Sequence, residues 1–282
     1  MLNIGVFNEL EIKKFESQGA YLGEVSSEDT VLLPSKEVPP DASIGDKLTV
    51  FIYKDSSDRL ISTMKIPAGC VGDLAYLEVV QNTQIGAFLN WGLDKDVLLP
   101  FSEQTYKVQN GKSYLVLLYL DKTGRISATT DIYEYLSDES SYEKNDWVEG
   151  TVYLIKEGIG ALVAVDDKYR GLIPESECFE KLSEGDRVRA RVIRKREDGK
   201  LDLSTRKLVH MQMDDDANKI IEFIKSSGGS TSLNDKSSPD DIQRNLNMSK
   251  RDFKRAVGKL LKGGKIKKIE SGYEIVEDEN LE

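Results

Sequence analysis

Histidine is almost missing from this 282-residue chain, which has only His210, and cysteine is scarce, with only Cys70 and Cys178. A single imidazole cannot make a zinc site of paired histidines, and its place in the junction before the last segment leaves no Ser-His-Asp triad to assemble. The cysteines are too far apart for metal-ligand spacing and too few for a disulfide framework, so both read as small packed thiols. Long apolar runs are also missing. The longest, "YLVLLYL" at Tyr114 to Leu120, falls far short of the roughly 20 residues a membrane span requires. The amino end carries no basic-then-apolar signal pattern, so a cytoplasmic chain without a membrane partner is expected. "NGKS" at Asn110 lacks the preceding glycine of a phosphate-cradling loop. Carboxylates are plentiful, but none stands out as a catalytic pair. No enzyme activity, cofactor or metal is expected.

The net charge of −10 argues at first against a polyanionic partner, because bringing nucleic acid to an acidic surface costs Coulomb energy. The distribution qualifies this. Residues 1–64 carry 11 acids against 6 bases, whereas 136–209 carry 16 against 14 and 210–282 carry 14 against 13. The last two segments are near neutral only because large charges cancel, so they can hold local basic faces.

What is present is repetition. "GAYLGEVSSEDTVLLP" from Gly19, "GAFLNWGLDKDVLLP" from Gly86 and "GALVAVDDKYRGLIP" from Gly160 each set a Gly-Ala pair 14 or 15 positions before a proline, at Pro34, Pro100 and Pro174. A further glycine follows 11 positions later, at Gly45, Gly111 and Gly185, and then a turn with a short strand: "SSDRLIST", "KTGRISAT", "EDGKLDLST". Offsets shared over this length mark an internal repeat. Within each copy, short alternating runs between Gly, Asp and Asn turns predict antiparallel strands. "RVRARV" places Val188, Ala190 and Val192 on a core face and Arg187, Arg189 and Arg191 on the other, where a solvated strand face is expected. Five such strands close most economically into a small barrel.

Beyond the third copy the period changes to 3.6. "DDDANKIIEFIK" places Ala217, Ile220, Ile221 and Ile224 on one face, with its aspartates expected at the helix amino end. Pro239 opens a short helix carrying Ile242 and Leu246. A third helix runs from Ser249 as N-cap, with Asp252 three residues on, to Gly263 and Gly264. Its expected buried stripe is Phe253, Ala256, Val257, Leu260 and Leu261. Two strands around Ser271-Gly272 then follow. Between Lys250 and Lys268 stand nine basic residues and one acid. Three helices and a hairpin follow the winged-helix plan, and the one-sided charge points to a polyanion.

The order of a "GAF" strand, a "GLIP" strand, "GDRVRARV" and "DGKLDLS" resembles the S1 domain, a five-stranded OB-fold barrel. With the carboxyl-terminal "LNDKSSPDDIQRNLNMSKRDFKRAVGKLLKGGKIKK", the whole chain resembles the bacterial conserved virulence factor B family. The resemblance implies a mainly β protein of three tandem S1-like OB-fold barrels, at 1–64 (a degenerate copy), 65–135 and 145–208, followed by a winged-helix domain at 212–282. "LSDESSYEKND", Leu136 to Asp146, is expected to be a flexible linker. In S1 domains RNA lies on a sheet face with two aromatics, a histidine, and an aspartate and arginine at the last turn. Carried over, these positions are Gln18, Tyr21, Pro34, Asp55 and Arg59; Ile85, Phe88, Pro100, Asp121 and Arg125; and Ile159, Leu162, Pro174, Arg196 and Lys200. Proline stands where the family has histidine, and the first aromatic is absent throughout, so each barrel should bind weakly. Trp91 and Tyr169 are further aromatic candidates in the following turns.

The implied function is non-catalytic regulation of gene expression, of virulence-type genes by resemblance, through single-stranded RNA. The winged helix would contribute Lys250, Arg251, Lys254, Arg255 and Lys267, and could also take duplex nucleic acid. A second reading is a DNA-binding transcriptional regulator whose barrels contact protein partners. Contact with the ribosome or polymerase is a further expectation.

Overall fold

The computed structural model describes residues 2–25, 27–55, 57–206 and 209–276, without the side chains of 209–212, 214 and 215. The chain divides into two compact units, 1–206 and 207–282.

Unit 1 contains three closed barrels of one topology. The first is β1 (Phe7–Glu16), β2 (Gly19–Gly23), β3 (Thr30–Pro34), β4 (Lys47–Lys54) and β5 (Leu60–Thr63), closed in the order β1-β2-β3-β5-β4. The second repeats that order with β6 (Leu74–Asn82), β7 (Gly86–Asn90), β8 (Val97–Pro100), β9 (Ser113–Leu120) and β10 (Ile126–Thr129). The third does so with β11 (Trp147–Lys156), β12 (Gly160–Val165), β13 (Tyr169–Pro174), β14 (Arg187–Lys195) and β15 (Leu201–Ser204). This is the OB-fold arrangement.

The recurring glycine and proline are partners across one hairpin. Gly19 pairs with Pro34, Gly86 with Pro100 and Gly160 with Pro174. A Cβ on these glycines would lie 2.0, 2.3 and 2.1 Å from the carbonyl oxygens of Leu33, Leu99 and Ile173, so no larger residue fits. The first strand of each barrel also shifts register at one equivalent place, between Ile12 and Lys14, Val79 and Gln81, and Val152 and Leu154. Such bulges bend a strand enough to close a small barrel.

The barrels are packed onto one another. In β4, Val50 and Ile52 fill the first core, whereas Phe51 and Tyr53 face outward into a cluster with Trp91, Val97 and other residues of the second barrel. The ring of Phe51 meets Trp91 edge-on at 5.7 Å. In β9, Tyr114, Val116 and Leu118 fill the second core, while Leu115 and Leu117 pack with Tyr153 and Ala164 of the third barrel. The long apolar run is thus a strand buried on both faces, which removes its alternation.

In the third barrel the corresponding strand is β14, and its outward face carries arginines. Arg187 and Arg189 are exposed, as on a solvated strand face, and Arg191 is half-buried, but each is also tied to a neighbour. Arg187 lies 4.3 Å over the Tyr76 ring and pairs with Asp167 at 2.8 Å, Arg189 lies 5.3 Å over Trp147, and Arg191 donates to Asn145 at 3.0 Å. The expected linker is likewise pinned. Leu136 is buried, Ser137 exchanges backbone hydrogen bonds with Lys168 and Arg170, and Asp138 pairs with Arg170 at 2.6 Å.

Unit 2 holds α1 (Val209–Ser226), β16 (Ser230–Thr231), α2 (Pro239–Leu246), α3 (Lys250–Lys262), β17 (Ile266–Lys268) and β18 (Tyr273–Ile275), with sheet order β16-β18-β17. Ala217, Ile220, Ile224, Ile242, Leu246, Phe253, Ala256, Val257, Leu260 and Tyr273 form its core. Ser249 caps α3 by accepting from the Asp252 amide, and Gly264 takes the left-handed turn after it. Two details differ from expectation. Helix α1 begins at Val209, five residues early, so residues 214–216 lie in its second turn rather than at its cap. The side chains of His210, Asp214 and Asp215 lie outside the described residues. Leu261 is 38% exposed, not part of the buried stripe.

Candidate nucleic-acid interface

The last turn of each barrel is built alike. Asp55 donates its amide to the Arg59 carbonyl, Asp121 to Arg125 and Arg196 to Lys200, at 2.9, 2.8 and 2.8 Å. Beside this turn, clefts open on corresponding faces of the second and third barrels. In the second, Ile85, Phe88, Asp121 and Arg125, far apart in sequence, line one cleft of about 490 Å³ with Leu98 and Ile126. Phe88 is half-buried there, set between Gln81 and Leu98 on the neighbouring strands.

The cleft's other wall comes from the first barrel: Tyr53, Lys54, Asp55 and Asp58. Arg125 donates through Nε to Asp58 at 2.6 Å, and Lys54 donates to the Thr123 carbonyl at 2.5 Å. Asp58 is held below the usual carboxylate range by that hydrogen bond from Arg125. For Asp121, burial pushes the carboxyl up, but hydrogen bonds from Thr123 and from the Arg125 and Thr123 amides outweigh it and keep the group ionised. Asp121 is thus a turn brace, with Oδ1 accepting three hydrogen bonds. Burial, reinforced by nearby carboxylates, pushes the Tyr53 phenol up to about 12, so it remains neutral at pH 7. Lys54, Lys95 and Arg125 face Asp55, Asp58, Asp96 and Asp121, so this cleft offers apolar and aromatic surface without a cationic excess.

The third-barrel cleft is smaller, about 250 Å³, and of opposite electrostatic character. Ile159, Leu162, Arg196 and Lys200 again meet, joined by Tyr133, Lys156 and Arg170, and no carboxylate lines it. Several cations are anchored from outside: Arg196 on Asp202 at 2.6 Å, Lys200 on Asp198 at 2.8 Å and Arg170 on Asp138. The Asp198 carboxylate, then Tyr133, raise the Lys200 ammonium above its usual value. Tyr133 supplies an aromatic ring that alignment on Leu162 does not, and Arg170 lies 4.4 Å over it. Sequence reasoning misses Tyr133, Lys156 and Arg170, because the folded barrel brings Lys156 of β11 and Arg170 of β13 to one opening, and Arg170 holds Tyr133 there from the turn that precedes the barrel.

Trp91 also lines the second-barrel cleft, and the other expected barrel residues fall elsewhere. Trp91 is 3% exposed, packs on Phe51 and donates its indole N–H to the Lys95 carbonyl, which corrects its reading as an open stacking platform. Tyr169 meets Tyr142 edge-on at 6.3 Å, away from the third-barrel cleft lining. In the first barrel Tyr21 lies under Lys14 at 4.7 Å, and Arg59 pairs with Asp55 at 2.8 Å within its own turn.

In unit 2, α3 turns its cations outward. Arg251, Lys254 and Lys262 are exposed, as is Lys265 just beyond the helix. Lys250 is instead tied to the Ser237 carbonyl at 2.8 Å, Arg255 pairs with Asp252, and Lys267 pairs with Glu274 at 2.7 Å on the next strand. Capping of α3 by Ser249 and Asp252 fixes the helix start, so this basic face is held on a rigid element.

Three OB barrels and a winged helix with a basic third helix define a regulator of the nucleic-acid-binding class, with no catalytic domain indicated and, among the described residues, no helix long and apolar enough to cross a membrane. The S1 domain family matches residues 4–65 and 71–131, the second domain of the virulence regulatory factor CvfB matches 133–207, and the CvfB-like winged helix domain matches 218–274. The protein YitL of Bacillus subtilis is 37% identical over 85% of this chain and 83% of its own length. Conserved virulence factor B of Staphylococcus epidermidis is 29% identical over 95% and 93%. A crystal structure of a multidomain protein with nucleic acid binding domains from Streptococcus pneumoniae aligns with TM-score 0.53 and 27% identity over 97% of this chain and 98% of that one. The chain belongs to the conserved virulence factor B family.

Proposed function

We propose that this chain is a non-catalytic, cytoplasmic regulator that binds single-stranded RNA and acts after transcription, on virulence-type genes as its relatives' name suggests. The observation that carries the reading is the pair of clefts on corresponding faces of two stacked barrels, each gathering four of the five positions where S1 domains hold RNA. An OB face of this size suits splayed, unstacked bases, because a duplex keeps its bases in the stack. The two clefts divide the work. The second barrel contributes a ring in Phe88, and the third contributes cations in Lys156, Arg196 and Lys200. The exposed cations of α3 add a further contact on the same chain, so several weak sites act together through effective concentration. A wing and basic third helix also suit the major groove of duplex DNA, which is the competing reading.

The test is Phe88→Ala. Single-strand affinity should fall by roughly 1 to 3 kcal/mol with the salt slope unchanged, because a stacking contact neutralises no phosphate. Since Phe88 is half-buried on a cleft wall and not in the core, the variant should unfold near the parent. A large stability loss with unchanged RNA affinity would assign Phe88 to packing and remove the stacking site from the second barrel.

A further inference from the structure

Helix α3 carries a glycine in its interior. Gly258 is exposed, its backbone is not in the left-handed region, and a Cβ built there meets no atom within 4 Å. Glycine is the poorest helix former apart from proline, so its presence weakens this helix, and nothing packed around it calls for the missing side chain. What surrounds it is the basic face. One turn to either side on a helix are the residues three and four away, here Lys254, Arg255, Leu261 and Lys262, all exposed. Gly258 is thus a notch in the centre of that face, with three cations and one apolar side chain at its rim.

We propose that this notch is where the sugar-phosphate backbone of bound RNA comes closest to the protein, resting on the reading of the basic face given above. The chemistry of the rim matches that polymer. Phosphates meet Lys254 and Lys262, while a ribose, whose faces are largely apolar, sits on Leu261 and on helix backbone left bare by the missing Cβ. A methyl group at the notch lifts the strand away from the helix and lengthens every contact around it. Gly258 therefore sets the depth at which the strand seats.

The experiment uses the full chain and a fluorescent single-stranded 12-nucleotide RNA. In Gly258→Ala, amide exchange across Lys250–Lys262 should slow in the free protein, since alanine favours the helix. RNA affinity should nevertheless fall about tenfold, equivalent to about 1.4 kcal/mol. A better-formed helix that binds worse is not the signature of a structural role. Slower exchange with unchanged affinity would overturn the proposal. The parallel variant Lys254→Ala/Lys262→Ala separates two failures. If it weakens binding and Gly258→Ala does not, only the notch is wrong; if neither changes affinity, the basic face does not bind RNA and the proposal falls with that reading.

Discussion

Replacing Phe51 with alanine should destabilise unit 1 by about 3 to 5 kcal/mol, the usual loss when a buried aromatic leaves a cavity. The side chain is fully buried, although it points out of its own barrel. Its ring meets Trp91 at 5.7 Å and Tyr53 at 6.5 Å within the cluster that joins the first barrel to the second, and the exposed Phe7 at 5.5 Å. The loss should therefore appear in the unfolding of both barrels. Phe101→Ala, at a position 53% exposed, serves as control and should stay within about 0.5 kcal/mol of the parent. Urea unfolding followed by tryptophan fluorescence reads both, because Trp91 lies against Phe51. Parent-like unfolding of Phe51→Ala would mean that the barrels do not share this core. The same geometry makes deletion of residues 1–64 a poor probe of charge, because it would also uncover Trp91.

The second large effect is expected from α3. Arg251→Ala combined with Lys254→Ala should weaken single-strand binding by about tenfold or more and reduce the salt slope by about 1.4, which is 0.7 for each phosphate that is no longer neutralised. Both side chains are exposed, and among the described residues neither has an ion-pair partner, so unfolding should match the parent. Lys267→Ala should have a smaller effect, because Lys267 is already paired with Glu274. An unchanged slope in the double variant would show that these cations do not meet phosphate.

Much of this was legible in the residues because the constraints are local. A glycine facing a proline across a hairpin leaves a fixed sequence offset, so three hairpins produce three matching phrases. Capping by Ser249, and the stop at Gly263 and Gly264, follow from neighbouring residues and need no tertiary information. Failures occur where a distant element decides. "YLVLLYL" is a strand in either view, but its second buried face exists only because the third barrel covers Leu115 and Leu117. Trp91 and Phe88 stand three residues apart with similar chemistry, and only Phe51 arriving from another barrel puts Trp91 into the core. The segment at 136–146 has a linker's composition, yet Arg170 and Lys168 hold it from a strand and turn beyond. The same limit applies to the third-barrel cleft, where Lys156 and Arg170 meet through the barrel fold and Tyr133 joins them from the preceding turn through the Arg170 hydrogen bond to its carbonyl.

The central claim is that the partner is single-stranded RNA, and competition at equilibrium tests it most directly. The full chain, bound to a labelled single-stranded RNA, is titrated at one salt concentration with unlabelled single-stranded RNA, double-stranded RNA and duplex DNA of matched phosphate number. Holding salt and phosphate count fixed removes the nonspecific electrostatic contribution common to all three. The single strand should displace the label at the lowest concentration, because it alone offers unstacked bases to the barrel faces. Displacement by duplex DNA at an equal or lower concentration would contradict the account and assign the chain to duplex DNA through its winged helix.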